Sequence, residues 1–448
     1  MFNVKQVRII KSGGSMKILL KTSNISLSVC LFLISLCMFA CIKHPKQNAE
    51  SNADTITVES GINTGALMWG SIGWLYGLGE NTKPADSMIT GLVHPQYTYQ
   101  KAPFGTQHGD GDALKVAIQA KRTGMKGVGI YVQDYYTQWP YPNNGIDSYI
   151  TDVVDKVCGY VLADANRSFM VYVPFNEPDW IWYGTSLSQI NSFCTDWEKV
   201  YNVIKSKDPE AKIVGPNIMA YNSTFMNTFF TFCKNNNCMP DIASWHALDN
   251  DFFNNWYNYY ADFRKINDSI PVHINEYGRQ SVNGKCDIQV PGRLVQFITR
   301  FENSKVFACE AFWTGIGTQN DACTSDGKPT GTWYLYQWYG QMTGNSVKVS
   351  LPNSNGPLQA FASKNNNSVK VIFGGSLNDT DVYHLTIVVK GLSGSSASYK
   401  VLETKYTGQS AAPTPSMKTS GTVIVSGGSI SVNVAGCAAL SAYNLQIN

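Results

Sequence analysis

From about Thr64 to Gly344, short runs rich in Val, Ile and Tyr alternate with longer stretches whose apolar residues recur every three to four positions. The short runs predict eight strands: Gly65–Trp69, Gln96–Lys101, Gly127–Asp134, Phe169–Phe175, Lys212–Pro216, Asp241–Trp245, Val272–Asn275 and Phe307–Trp313. The clearest helix covers about Ser186 to Lys207, where Ile190, Phe193, Trp197, Val200, Tyr201 and Ile204 share one face. Another starts after Asp112, whose carboxylate suits the free N–H groups of a first helical turn. Eight strand–helix units in succession predict an α/β fold, a (β/α)8 TIM barrel over residues 59–344. A doubly wound sheet is the alternative, weakened because no GxGxxG follows an early strand.

After Thr343 the period shortens to two. Val347–Leu351, Val369–Phe373, His384–Val389 and Ser429–Val434 alternate apolar and polar residues in a background of Ser, Thr, Asn and Gly, and Pro413 and Pro415 mark a loop. Residues 345–448 therefore predict a C-terminal all-β sandwich.

The N-terminal end has a different texture. From Met16 a short cationic stretch leads into an apolar run from about Ile25 to Phe39, too short for a comfortable membrane span and laid out like a secretory signal. It ends in Met38-Phe39-Ala40-Cys41, which resembles a bacterial lipobox. That resemblance implies that Met16 is the working start, that residues 1–41 are a lipoprotein signal, and that Cys41 carries acyl chains. Residues 42–58 then read as a flexible tether, and the expected location is an exported bacterial lipoprotein of the outer membrane. An ordinary signal peptide or an uncleaved anchor is the alternative.

Charge sharpens this. The formal net charge is +3, but residues 1–40 hold Lys5, Arg8, Lys11, Lys17 and Lys21 with no acidic residue, so the remainder is slightly acidic. No phosphate-binding field is implied, and nucleic acid is not an expected partner. Only 15% of residues are charged while 12% are aromatic. The sequence leaves the oligomeric state open. Export permits disulfides: Cys233 and Cys238 bracket a short loop, and Cys286 and Cys323 lie in loops that could be neighbours, whereas Cys158, Cys194 and Cys309 read as buried thiols. There is no CxxC pair, HExxH or His-rich tract, so neither a protein-built metal site nor a cofactor is expected.

Two segments stand out as candidate chemistry. Pro174-Phe175-Asn176-Glu177-Pro178-Asp179-Trp180 closes predicted strand four, and His273-Ile274-Asn275-Glu276-Tyr277-Gly278 closes predicted strand seven. Barrel enzymes work at the C-terminal ends of their strands, because the βα loops converge there. Two carboxylates across such a mouth suit glycosidic cleavage, one giving a proton to the leaving oxygen and the other ionised to attack.

Asn-Glu-Pro at strand four with a second Glu at strand seven resembles the retaining glycoside hydrolases of clan A, and the overall pattern is most similar to family 39-like members. The resemblance implies Glu177 as acid/base, Glu276 as nucleophile and Asn176 on the sugar 2-hydroxyl. It implies that His246, after strand six, tunes Glu276 or holds a hydroxyl, with a purely structural histidine as the alternative, and that Trp313, after strand eight, lies under a sugar face. Where many members carry an Arg after strand two, this chain has Gln100 and Lys101. The implied substrate is a plant or algal glycan cleaved from one end, in the manner of a β-xylosidase or an α-L-arabinofuranosidase. An endo-acting glycanase and a non-catalytic glycan-binding lipoprotein are the alternatives.

Aromatic residues crowd the predicted mouth loops, among them Trp69, Trp74, Trp139, Tyr141, Trp180, Trp182 and Tyr183, with Gln133 and Asp134 ending strand three. Rings among amides and carboxylates suit a sugar ligand, so Trp180, Gln133 and Asp134 are candidate substrate contacts. The loop Gln107–Asp112 lacks the spacing of a calcium loop and reads as a glycine turn from which His108 could reach the mouth. No GxSxG elbow supports an esterase.

Overall fold

A computed structural model describes residues 54–448 and, as a separate unit, the antiparallel pair Val7–Ser12 (β1) and Ser15–Leu20 (β2). Cys41 and most of the predicted leader lie outside the described residues. Among the described residues no helix is long and apolar enough to cross a membrane.

The main body opens with Asp54–Ala66 (β3). Eight parallel strands then close a barrel: Trp74–Leu75 (β4), Tyr97–Lys101 (β5), Gly127–Tyr131 (β6), Met170–Val173 (β7), Lys212–Ile218 (β8), Ile242–Trp245 (β9), Val272–Tyr277 (β10) and Phe307–Glu310 (β11). Each is followed by a helical segment. The longest, Leu187–Lys207, has the predicted apolar face buried and starts at a Ser186–Gln189 capping box. Asp112 caps Ala113–Arg122 by accepting from Leu114 N and Lys115 N.

The barrel interior is filled unevenly, and that sets its shape. Tyr97 and Tyr99 on β5 project inward, and β6 makes room with glycines. A Cβ on Gly129 would lie 2.1 Å from Tyr99 Cδ1, and one on Gly127 would lie 2.8 Å from Tyr97 Cε1. Tyr99 Oη in turn meets His273 Nδ1 on β10 at 2.6 Å, so the ring spans the barrel.

Asn345–Ser350 (β12), Gln359–Asn365 (β13), Ser368–Gly374 (β14), Val382–Lys390 (β15), Ser396–Thr404 (β16), Ser416–Ile424 (β17), Ser429–Ala438 (β18) and Ala442–Ile447 (β19) form the β module. They join β3 in one nine-stranded sheet ordered β17-β16-β19-β14-β13-β12-β3-β15-β18, folded over a single apolar core. Lys418 on β17 donates to Gly436 O on β18, drawing the two outer strands together (2.6 Å).

Here the predicted boundaries need correction. The last residues of the predicted tether (42–58) and the first two of the first predicted strand, Gly65 and Ala66, belong to β3, which pairs with β12 and runs parallel to β15. Ile56 and Val58 alternate inward into the sandwich core, so burial draws the segment into the sheet. The barrel is thus inserted between the first two strands of the β module. Barrel strand one is the two-residue β4, beyond Gly65–Trp69. The proposed disulfide pairings are also absent: the eight described cysteines are free. Cys233 and Cys238 are neighbouring buried thiols, and Cys286 Sγ instead meets Gln280 O at 2.7 Å.

Barrel and module share a seam. The helix Pro291–Ser304 is buried almost throughout, and Phe361, Ile372 and Ala442 of the module join the barrel's own core cluster. Gly292 allows its backbone to reach the module, its N–H bonding Leu440 O at 3.1 Å, where an added Cβ would sit 2.3 Å from Ala439 O.

The Gly129–Tyr99 fit makes a stability prediction. Gly129→Ala should destabilise the fold by at least the ~1–3 kcal/mol typical of an overpacked core, read as a lower denaturant midpoint. An unchanged midpoint would show that the Tyr99 ring has room to yield.

Candidate active site

The first carboxylate is placed by a tightly held turn. After β7, Phe175 buries its ring among Tyr149, Trp182, Phe193 and Trp197 and anchors the segment. Asn176 N donates to Gln133 Oε1 at 2.6 Å, and Glu177 N donates to Asn217 O at 3.0 Å. Glu177 itself has φ +46°, in the left-handed region that side-chain-bearing residues rarely occupy. Such strain persists only where neighbours over-determine it, and here it turns the carboxylate into the mouth.

The second carboxylate comes from an irregular strand. β10 loses register with β11 between Ile274 and Tyr277, and such a bulge re-aims a side chain. Tyr277 packs outward, its hydroxyl bonded to Ser71 O and Tyr336, while Glu276 faces the cleft. β8 has a matching irregularity between Pro216 and Ile218, at Asn217.

Asn217 is wholly buried, with φ +63°. Its Nδ2 donates to Asn176 Oδ1 (3.1 Å), and its Oδ1 receives Ser244 Oγ (2.9 Å) and Asn275 Nδ2 (2.8 Å) and meets His246 Nε2 (3.3 Å). His246, also buried, presents Nδ1 to Glu177 Oε1 at 2.9 Å and Nε2 to Glu276 Oε1 at 3.7 Å. One donor atom each from Glu177, His246 and Glu276 lies within 4.8 Å of the others. This is the one trio found among the described residues with spacing that could hold a cation, but the 2.9 Å contact already makes two of its members a hydrogen-bonded pair.

Their protonation is coupled. Burial raises Glu177, but hydrogen bonding and charge from His246, with a 2.7 Å bond from Trp180 Nε1 to Oε2, bring it below the usual carboxylate range. Burial, reinforced by the charge of Glu177, pushes Glu276 up to about 7 against the opposing influence of His246 and a 3.1 Å bond from Tyr131. Burial lowers His246, yet the two carboxylates raise it overall. Proton affinity in the free site is thus moved away from Glu177 and towards His246 and Glu276.

The cleft has a volume of about 530 Å³, with Glu177, Glu276, Asn176, Trp313, His108, Tyr76 and Tyr141 among its lining residues. Trp313 is held by its Nε1 on Gly278 O at 3.0 Å. His108 packs against Tyr76 with centroids 4.4 Å apart, and burial, with the charge of Lys101, lowers it to about 4, so it is neutral. Asp134 and Gln133 support the wall from behind. Asp134 is fully buried and accepts from Tyr76 (2.5 Å) and Tyr141 (2.6 Å), and Gln133 is bonded to the Asn176 backbone. Gln100 and Lys101, weighed as replacements for an Arg, are engaged elsewhere: Gln100 pairs with Thr98 (2.8 Å) and Lys101 reaches His108 O (2.5 Å). The residue bonded to Glu276 is Tyr131.

Asn217, Tyr131, Ser244 and Tyr76 were not visible as site residues in the sequence. Each is an ordinary polar or aromatic residue on or beside a strand. Asn217, next to Pro216 at the end of a strand, left the only trace.

The barrel, inserted in its β module, forms a fold that the chain shares with glycoside hydrolases of family 39. No family model matches the chain. It is 29% identical over 467 aligned positions to a 3-O-β-L-arabinopyranosyl-α-L-arabinofuranosidase of Bifidobacterium pseudocatenulatum, covering 88% of this chain and 47% of that protein. It is 30% identical over 431 positions to a 3-O-α-D-galactosyl-α-L-arabinofuranosidase of Bifidobacterium longum subsp. longum, covering 80% and 37% respectively. The chain thus spans less than half the length of these relatives. Among solved structures it is similar to N2152 from Neocallimastix frontalis, with TM-score 0.79, 29% identity and coverage of 88% and 99% of the two chains. The family 39 enzyme from Xanthomonas axonopodis pv. citri shares the fold at TM-score 0.61 and 11% identity, over 90% of this chain and 99% of that one.

Tyr131 offers a test of the electrostatics. Its hydroxyl stabilises ionised Glu276, so Tyr131→Phe should raise that pKa and move the acid limb of kcat/KM to higher pH. A shift of about one unit corresponds to a hydrogen bond to a charged group worth about 1.4 kcal/mol. A limb that stays in place would show that the Tyr131 hydroxyl does not act on Glu276.

Proposed function

We propose that the chain is a retaining, exo-acting glycoside hydrolase that removes α-L-arabinofuranosyl units, including 3-O-substituted ones, from plant polysaccharides. The observation that carries this reading is the spacing of Glu177 and Glu276, whose facing carboxylate oxygens lie within 4.8 Å. Retaining enzymes hold the two carboxyl groups about 5–5.5 Å apart, whereas inverting ones need about 6.5–9.5 Å to admit water between them. The sugar preference is supported by the names of both Bifidobacterium relatives, each an α-L-arabinofuranosidase with a 3-O-glycosyl substituent.

Mechanism follows from the coupled trio. The productive state has Glu276 ionised and one proton shared along Glu177 Oε1 and His246 Nδ1, while Trp180 Nε1–H keeps Oε2 as an acceptor. A Glu276 oxygen attacks the anomeric carbon, the bond to the glycosidic oxygen breaks, and the shared proton passes through Glu177 to that oxygen. Glu177, now a carboxylate, takes a proton from water as the water attacks the same carbon and displaces Glu276. Asn176, fixed by Asn217 and Gln133, is placed to hold the 2-hydroxyl, and Trp313 offers a flat apolar face.

Glu177→Gln and Glu276→Gln should each lower kcat on a p-nitrophenyl α-L-arabinofuranoside or an arabinogalactan by about 10²–10⁴-fold. Nuclear magnetic resonance of the first product should show the anomeric configuration of the substrate. Near-native hydrolysis by both variants, or an inverted product, would overturn the assignment. A flat activity screen with tight oligosaccharide binding would favour a non-catalytic glycan-binding protein.

Export and anchoring belong to the same proposal. The lipobox-like Met38–Cys41 segment supports acylation of Cys41 and an outer-membrane location for the barrel. Labelled palmitate should enter the wild-type protein made in a bacterial host and be absent from Cys41→Ser; equal labelling would refute the anchor.

A further inference from the structure

Two indoles stand open to solvent at one edge of the cleft. Trp139, in the loop after β6, is 52% exposed, and Trp180, in the loop after β7, is 42% exposed. Their rings meet edge to face, with centroids 5.6 Å apart and planes at 70°. Large exposed aromatic surface at a rim marks a contact site, since covering it is favourable for any partner with an apolar face.

The position of the pair relative to the catalytic groups says which partner. In retaining cleavage the acid touches the glycosidic oxygen, which leaves with the departing sugar, while the nucleophile touches the anomeric carbon of the sugar that stays. Trp180 is bonded to Glu177 Oε2, and Trp139 packs on Trp180. Glu276 is bonded instead to Tyr131, within the barrel mouth. The open indoles therefore belong to the departing side. Their near-perpendicular planes form a corner that takes one ring rather than a run of stacked sugars.

We propose that Trp139 and Trp180 form the subsite for the leaving group, binding through its C–H face the single pyranose of the polysaccharide to which the arabinofuranosyl unit is attached. The inference rests on the glycosidase reading and adds what lies beyond the cleaved bond. Recognition of the departing sugar makes the enzyme prefer polymer over substrates with a minimal leaving group.

The test compares an arabinogalactan bearing arabinofuranosyl side chains with α-L-arabinofuranosyl fluoride, whose leaving group is too small to reach the indoles. The quantity read is the ratio of kcat/KM on polymer to kcat/KM on fluoride. Trp139→Ala should lower that ratio about tenfold, chiefly through KM for the polymer, and Trp139→Phe, which keeps a flat ring, should lower it less. A ratio within twofold of wild type in Trp139→Ala, whether both activities persist or both fall together, would overturn the subsite. A wild-type protein inactive on the fluoride would overturn the glycosidase reading and this inference with it.

Discussion

Four barrel strands converge on one carboxamide. Asn217 lies at the irregular end of β8, with its backbone in the left-handed region, and touches Asn176 beyond β7, Ser244 and His246 at β9, and Asn275 on β10. Its backbone carbonyl also receives the Glu177 N–H. Because the group is wholly buried, each lost partner would leave a desolvated polar atom, at a cost of about 1–3 kcal/mol. That penalty couples the strands: neither glutamate can drift without stranding part of the network. The spacing of the two carboxylates is therefore a consequence of hydrogen-bond satisfaction around Asn217, and their own mutual repulsion works against it.

Burial then determines how these carboxylates titrate. Two anions within 4.8 Å in a closed site cannot both be cheaply ionised, and His246 resolves the conflict by lying against both. The result differs from a simple picture of one protonated and one ionised glutamate. Glu177 is kept low by the bonds it accepts, whereas Glu276, with fewer donors, is raised. Glu177 and His246 thus form the closer pair, the histidine lying 2.9 Å from Glu177 and 3.7 Å from Glu276.

Much of this was legible in the sequence where chemistry and period coincide. Glu177 and Glu276 each follow a β-branched or aromatic run and sit beside Asn, so their place at strand ends could be read directly. Seven of the eight barrel strands lie where the runs predicted them; the first does not, because β4 has only two residues and leaves no run to detect. Missing β4 also hid Tyr76, which follows it. The start of β3, residues 54–58, reads as tether because polar positions dominate it, although Ile56, Val58 and Ser60 alternate with a period of two. Asn217 and Tyr131 act through geometry that only strand bulges and cross-barrel proximity create, and no local pattern encodes those.

The inserted topology gives the β module a part in holding the site. Past Glu276 the chain turns at Gly278, with φ +103°, where a side chain would be strained and would press on Ile288. Gly278 O holds Trp313, so this turn links the strand that carries Glu276 to the tryptophan of the cleft. The following loop is pinned by Asp287, which bonds Arg279 at 2.6 Å and Arg293 at 3.2 Å. Arg293 in turn reaches Asp379 of the module at 2.6 Å, and Lys285 reaches the same carboxylate at 3.2 Å. Partly buried charges of this kind add little net stability when paired but cost several kcal/mol when one partner is removed. Their effect is therefore to specify geometry: the module fixes the loop that fixes Gly278, and Gly278 orients both Trp313 and the end of β10. A barrel lacking the module would lose the cover of helix Pro291–Ser304, whose Phe297 and Phe301 pack on Tyr277, the neighbour of Glu276.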